Sequence, residues 1–220
     1  MIRVDVWSDM ICPFCYIGKR RLENVAAEAG VPLEVRWHSY ELDPDSPRVL
    51  PGTLTERIAR KYGLTAPDAM ERQITLAETA ATEGIDFQWE TARPGNTFDA
   101  HRLSHLAAER GLSGAFEERV FHAYMTEGQA IGEREVLLRL AVEAGLDEGE
   151  ARATLDSDRF AQDVRADQHF AQTELGVRGV PFFVFEGRIG LSGAQPRELF
   201  REALKQAAAA QAANGEAPQG

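Results

Sequence analysis

The chain has 220 residues, of which 44% are hydrophobic and 27% are charged, and its formal net charge is −11. A chain of this length can bury a core without disulfide bonds, so we predict one large globular domain or two closely packed ones. The acidic balance argues against binding to a nucleic-acid backbone, and the sequence lacks the run of about 18 apolar residues that a membrane span needs. The N-terminus has the pattern of a strand rather than of a secretory signal, so we expect a cytoplasmic protein.

The first forty residues predict a strand, a helix and a second strand. Apolar residues alternate with polar ones from Ile2 to Val6 and again from Leu33 to Trp37, which is the period of half-buried strands. Between these segments, apolar side chains recur at helical spacing from Pro13 until Gly30, a residue typical of helix ends. This order is that of a βαβ unit.

From about Thr53 to Leu175 helical patterns dominate, with Gly, Ser, Thr or Asp between the segments. Four apolar stripes at helical spacing predict buried helix faces. The stripes are Met70, Ile74, Ala77 and Ala81; Leu103, Leu106 and Ala107; Phe116, Val120, Phe121 and Tyr124; and Val136, Leu137, Leu140 and Ala144.

Strand character returns in VPFFVFEGRIGLSG, which reads as two strands joined by a turn at EGR, and a last helix begins near Pro196. A hairpin with one helix is marginal alone, so we predict one sheet built by both ends of the chain. The predicted fold class is α/β, a thioredoxin fold with a large all-helical insertion. We place the thioredoxin-fold domain at 1–45 and 176–213, the insertion at 46–175 and a disordered tail at 214–220.

The chain has only two cysteines, Cys12 and Cys15. A zinc site needs about four ligands, but no second cysteine pair is present and the five histidines are scattered, so we predict no metal. A structural disulfide here would close a loop of two residues and would stabilise the fold little. A reactive pair is therefore the favoured interpretation.

The position of the pair assigns a role to each cysteine. If Pro13 opens a helix, Cys12 lies at its N-cap or first position, where unpaired N–H groups and the positive end of the helix dipole favour a thiolate. Cys15 then lies one turn deeper on the same face. We predict that Cys12 attacks a disulfide and that Cys15 resolves the mixed disulfide.

Four stretches extend the pattern beyond the cysteine pair: SDMICPFCYIGKRRLE, VRWHSYELDP, NTFDAHRLSHLA and GVPFFVFEGRIGLSGAQP. With them, nearly the whole chain resembles the DsbA superfamily of thioredoxin-fold oxidoreductases, and within it the FrnE-like dithiol-disulfide isomerases. The resemblance implies a thiol-disulfide oxidoreductase or isomerase that acts on protein or peptide disulfides. Such an enzyme is expected to need no organic or metal cofactor, because the Cys12–Cys15 disulfide itself carries two electrons. Glutathione is a thiol with which this disulfide can exchange.

The resemblance also implies a cis peptide bond before Pro181, with the backbone of Val180 offered to an extended substrate. A sister branch leaves an alternative function open. The chain also looks like kappa-class glutathione transferases and 2-hydroxychromene-2-carboxylate isomerases, which act with glutathione on an aromatic or polyketide-like small molecule. That branch has a serine in place of Cys12 and a Ser-Asp pair where this chain has Ala194 and Gln195.

Four further residues are candidates near the cysteines. Asp9 would disfavour a nearby thiolate if its carboxylate were close, or it is a turn residue. His38 ends the second strand and is a candidate proton shuttle, or it is a packed histidine. Pro13 and Phe14 lie between the cysteines and would tune the pair, and we expect an exposed Phe14 to contact substrate. If the protein self-associates, a homodimer is the expected form.

Overall fold

The computed structural model describes residues 1–215, with the side chains of 1–213. The last helix extends to Gly215, and the rest of the tail predicted at 214–220 lies outside the described residues. Among the residues described, no helix is long and apolar enough to cross a membrane.

Four strands form one sheet, and they come from both ends of the chain. The strands are β1 Ile2–Ser8, β2 Leu33–Ser39, β3 Phe182–Phe185 and β4 Ile189–Ser192. The order across the sheet is β2-β1-β3-β4, with β1 and β2 parallel and β3 antiparallel to both β1 and β4. The predicted fold class is therefore confirmed, because β3 joins the N-terminal βαβ unit to the C-terminal hairpin in a single sheet.

Helices flank this sheet and fill the segment between β2 and β3. They are α1 Pro13–Ala29, α2 Leu54–Tyr62, α3 Ala66–Ala81, α4 Phe98–Glu109, α5 Ser113–Met125, α6 Arg134–Glu143, α7 Glu148–Leu155, α8 Ala161–Thr173 and α9 Arg197–Gly215. Helix α1 ends as predicted at Gly30, whose φ of 64° is left-handed and suits a residue without a Cβ. Helices α2 to α8 are the predicted helical insertion, while its exact boundaries as a domain stay a prediction.

The insertion and the sheet meet at the start of α1. One core lies on the sheet under α1 and α9, with Val4, Phe183 and Phe200 at its centre. A second core fills the insertion and includes both cysteines. The first turn of α1 is thus packed into the insertion, whereas the rest of that helix covers the sheet.

The predicted apolar stripe of α3 is wrong. Met70 and Ile74 are each 45% exposed, and the residues of α3 that are buried are Ala69, Gln73 and Ala80. The helix has apolar residues on more than one face, and it turns its smallest ones inward because it packs closely on α2 and α1. The other three stripes lie on buried helix faces, as predicted, apart from Val136, which is only half-buried.

Candidate active site

The cysteine pair occupies the turn between β1 and α1. Cys12 is the N-cap of α1 and Pro13 is its first residue, so the predicted position of Cys12 at the start of the helix is confirmed. The N–H of Cys15 donates to the carbonyl of Cys12 at 3.0 Å, and the N–H of Cys12 donates to the carbonyl of Asp9 at 2.9 Å. These bonds fix the turn so that both thiols lie on one side of the helix start. The two thiols are free.

The second half of the site comes from the other end of the chain. The Val180–Pro181 peptide bond is cis, as the resemblance implied. The Cys12 thiol donates to the Val180 carbonyl, with Sγ and O 3.6 Å apart. Two segments separated by 168 residues in sequence thus face each other across the reactive sulfur.

Gly18 allows this close approach, and sequence reasoning missed it. A Cβ on Gly18 would lie 2.9 Å from Cζ of Phe183 and 3.1 Å from Cγ of Pro181. Both distances are shorter than normal carbon–carbon contacts, so a side chain here would push Pro181 away from α1. The nearest sequence signal is that Gly18 is a glycine inside a helix, where glycine is unfavourable and needs a packing reason.

The two thiols differ in burial and in surroundings. Cys12 is 5% exposed and Cys15 is 1% exposed, so both residues are buried and Cys12 is slightly the more accessible. Burial raises the pKa of the Cys15 thiol well above its usual value, and the neighbouring Cys12 thiol raises it further. Cys15 Sγ accepts a hydrogen bond from the Asp9 N–H at 3.5 Å. The Cys15 thiol therefore holds its proton more tightly than an exposed cysteine does.

Asp9 lies fully buried beneath this turn. Its carboxylate accepts hydrogen bonds from the N–H groups of Leu42 at 2.8 Å and Ile11 at 3.4 Å. The carboxylate thus ties the cysteine turn to the segment that follows β2, which is the turn role predicted as one of two possibilities. The other role, disfavouring a nearby thiolate, stays a prediction.

His101 is a further buried group close to the cysteine turn. Its Nε2 lies 3.7 Å from Oδ1 of Asp9, and it has no hydrogen-bond partner among the described residues. Burial acts to lower the pKa of His101, but the carboxylates of Asp9, Glu117 and Glu41 outweigh it and raise that pKa. Burial raises the pKa of Glu41 and of Glu117. We call these four residues, Asp9, Glu41, His101 and Glu117, the Asp9 cluster.

His38 does not approach the cysteines. Its Nδ1 lies 3.1 Å from Oδ1 of Asp167 and its Nε2 lies 3.0 Å from Oδ1 of Asp5, and its ring stacks on Trp7. Carboxylates lie against both ring nitrogens, which fits the alternative of a packed histidine, and the proton-shuttle role stays a prediction. Asp167 also contacts His105 at 3.2 Å. We call Asp5, His38, His105 and Asp167 the Asp167 cluster.

Phe14 and Pro13 border a cleft beside Cys12. Phe14 is 50% exposed, as expected. The cleft has a volume of about 990 Å³, and its opposite wall is formed by α2 and α3. Within residues 1–215, no group of three or more His, Cys, Asp or Glu side chains is arranged to hold a metal ion.

Known proteins share this architecture. The family model described as the DSBA-like thioredoxin domain matches residues 3–205. The chain belongs to that family. The crystal structure of a probable DsbA oxidoreductase from Streptomyces coelicolor is 39% identical and has a TM-score of 0.88, covering 99% of this chain and 92% of that one.

More distant likenesses of this DsbA-like chain show the fold alone. A 2-hydroxychromene-2-carboxylate isomerase structure is 21% identical with a TM-score of 0.68, over 98% of this chain and 100% of that one. The cytosolic disulfide reductase DsbM from Pseudomonas aeruginosa, in a structure with GSH, is 23% identical with a TM-score of 0.61, over 93% of this chain and 98% of that one. The same fold thus occurs with both of the functions that the sequence left open.

Proposed function

We propose that this protein is a thiol-disulfide oxidoreductase or isomerase acting on protein or peptide disulfides, with Cys12 as the nucleophile and Cys15 as the resolving thiol. The observation that carries the proposal is the Cys12 thiol at the N-cap of α1, hydrogen-bonded to the Val180 carbonyl, with the buried Cys15 one turn behind it. A lone reactive thiol would need neither a second cysteine nor the Val180 carbonyl beside it.

The reaction takes place in two exchanges. The Cys12 thiolate attacks one sulfur of the substrate disulfide, a Cys12–substrate disulfide forms, and the other substrate sulfur leaves as a thiolate that takes up a proton. Cys15 then loses its proton and attacks Cys12 Sγ, which releases the second substrate thiolate and leaves a Cys12–Cys15 disulfide. Two electrons pass from the cysteine pair to the substrate. In the opposite direction, the disulfide of the protein oxidises a dithiol.

The surroundings of Cys12 support a peptide substrate in an extended form. The Val180 carbonyl, now bonded to the thiol, would accept from a substrate N–H, and the exposed Phe14 ring would cover the strand beside it. We propose glutathione as the thiol that restores the reduced pair, since DsbM, which shares the fold, has a structure with GSH. A cytoplasmic location would suit this cycle, because glutathione there favours the reduced pair.

The test is insulin reduction by the wild type and by the Cys12→Ser and Cys15→Ser variants, with circular dichroism to show that each variant is folded. Cys12→Ser should be inactive, and Cys15→Ser should accumulate a mixed disulfide on Cys12 that mass spectrometry detects. Full activity of Cys12→Ser would refute the proposal. Turnover that needs glutathione and is insensitive to Cys15→Ser would instead favour the isomerase alternative.

A further inference from the structure

The cleft beside Cys12 is large enough to hold a small molecule. Its volume of about 990 Å³ lies at the upper end of the range of ligand pockets, and the Cys12 side chain forms part of its wall. Neither Val180 nor Pro181 lines it. The cleft is therefore a separate space from the backbone edge at which a peptide strand would pair.

The inner surface of this cleft is apolar. Aliphatic and aromatic side chains line it, with Tyr124 1% exposed at its inner end. The apolar lining residues outside the cysteine turn include Leu42, Leu54, Ile58, Leu64, Leu76 and Phe87. The cleft can therefore remove a large apolar group from water, which favours binding by about fourfold for each methylene buried.

Two polar residues of the wall are partly engaged, and each keeps one buried atom, Arg57 Nη1 and Gln73 Oε1, without a hydrogen-bond partner among the described residues. Arg57 donates to Asp43 at 2.9 Å, and Gln73 donates to Thr55 at 2.9 Å and to the carbonyl of Ala69 at 3.2 Å. The remaining charged lining residues, Lys61, Asp68, Glu71 and Arg72, are exposed. These two atoms can pair with only a few polar groups of a ligand, so a hydrophilic thiol with many polar groups would lose more hydrogen bonds to water inside the cleft than an apolar thiol would.

We propose that this cleft binds a large apolar group joined to the substrate sulfur, so that Cys12 exchanges preferentially with disulfides of apolar low-molecular-weight thiols. The inference rests on the proposed reactivity of Cys12 and adds a substrate class to it. The apolar group would enter between α2 and α3 while its sulfur stays at the mouth of the cleft, against Cys12 Sγ. Leu54, Ile58 and Leu76 would determine the size of group accepted.

The test uses methanethiosulfonate reagents on the Cys15→Ser variant. The Cys12 thiolate attacks the reagent sulfur, a Cys12–S–S–R disulfide forms, and methanesulfinate leaves in every case. The rate constants for the benzyl and 2-hydroxyethyl reagents are measured by mass spectrometry and divided by those for free cysteine. We expect the benzyl reagent to be preferred about tenfold or more after this correction. Equal corrected rates would overturn the proposal.

Substitutions within α3 locate the preference. Leu76→Trp fills the cleft and should abolish the benzyl preference, whereas Ile74→Trp places the same ring on the exposed face of that helix and should leave it unchanged. Leu64→Trp is a second filling variant in case Leu76→Trp fails to fold. A benzyl preference that survives in a folded filling variant would overturn the proposal. Insulin reduction tests the oxidoreductase function separately, because a protein can lose this preference and still reduce insulin.

Discussion

The Asp167 cluster is half-buried and the Asp9 cluster is buried, and the two clusters differ in how their polar atoms are paired. In the Asp167 cluster, His38 and His105 contact the carboxylate of Asp167, and the N–H of Ser39 donates to it at 2.9 Å. In the Asp9 cluster, His101 Nε2 and Glu41 Oε1 are buried without a hydrogen-bond partner among the described residues. Buried polar atoms are normally paired, so unpaired ones need a reason.

The pKa shifts of the two clusters follow from this difference. Burial works to raise the pKa of Asp167, but hydrogen bonds from His105, His38 and the Ser39 N–H outweigh it and hold that pKa well below its usual range. In the Asp9 cluster, burial raises the pKa of Glu41 and of Glu117 instead. The paired cluster joins α8 to β2 and stabilises the fold. The Asp9 cluster lies beneath the cysteine turn, and perturbed pKa values such as those of Glu41, His101 and Glu117 are typical of functional sites.

The largest loss of stability is expected from breaking the Asp167 cluster. Asp167→Ala removes the acceptor for two histidines and one backbone N–H, and it should lower the free energy of unfolding by about 3 kcal/mol at pH 6. Urea denaturation at pH 6 measures this loss in the free energy of unfolding. Asp163→Ala, an exposed position one turn earlier on α8, should cost less than about 1 kcal/mol. Equal losses in the two variants would mean that the cluster does not stabilise the fold.

Local patterns were sufficient to predict the sheet and the cysteine turn. Alternation located β1 and β2, and Pro13 located the start of α1, because each of these signals depends on neighbours in sequence. The cis bond before Pro181 required the family resemblance, since few X–Pro bonds are cis. The apolar stripe that begins at Met70 gave a wrong prediction of the buried face, because periodicity does not say which apolar face of a helix packs against the rest of the protein.

The parts of the site that were missed depend on contacts between distant segments. His101 approaches Asp9 across 92 residues, and no local pattern distinguishes it from a surface histidine. The role of Gly18 depends on Phe183, on a strand at the other end of the chain. His38 is a histidine at the end of β2, as a proton shuttle near the cysteines would require, but its Nδ1 contacts Asp167 on the last helix of the insertion.

Adjacent glutamates on α5 offer a sharper comparison. Glu117 belongs to the Asp9 cluster, and burial raises its pKa. Burial also acts to raise the pKa of Glu118, but the Lys19 ammonium and the Tyr16 hydroxyl outweigh it, so that pKa is lowered. A raised carboxyl pKa means that native stability falls as the pH rises above the usual 4.5, and a lowered one means that stability falls as the pH drops below it.

Glu117→Gln and Glu118→Gln should therefore change stability in opposite directions at pH 7.5. Glu117→Gln removes the cost of ionising a buried carboxyl and should raise the free energy of unfolding by about 1 kcal/mol. Glu118→Gln weakens the bonds to Lys19 and Tyr16 and should lower it by about 2 kcal/mol. The Glu117→Gln difference should vanish as the pH falls to about 4.5, whereas the Glu118→Gln difference should shrink only as the pH falls below 4.5. Urea titrations at pH 4 and 7.5 measure them, and a shift of the same sign in both variants would contradict the comparison.

The smallest effect concerns His38, whose pH dependence follows from its two carboxylate partners. Burial acts to lower the pKa of His38, but Asp167 and Asp5 outweigh it and raise that pKa above the usual 6.5. A raised histidine pKa gives stability that is complete below 6.5 and is lost as the pH rises through the native value. His38→Gln should therefore cost about 1 kcal/mol at pH 5.5 and less at pH 9. A loss of stability in His38→Gln that is the same at pH 5.5 and at pH 9 would remove His38 from the Asp167 cluster's contribution to stability.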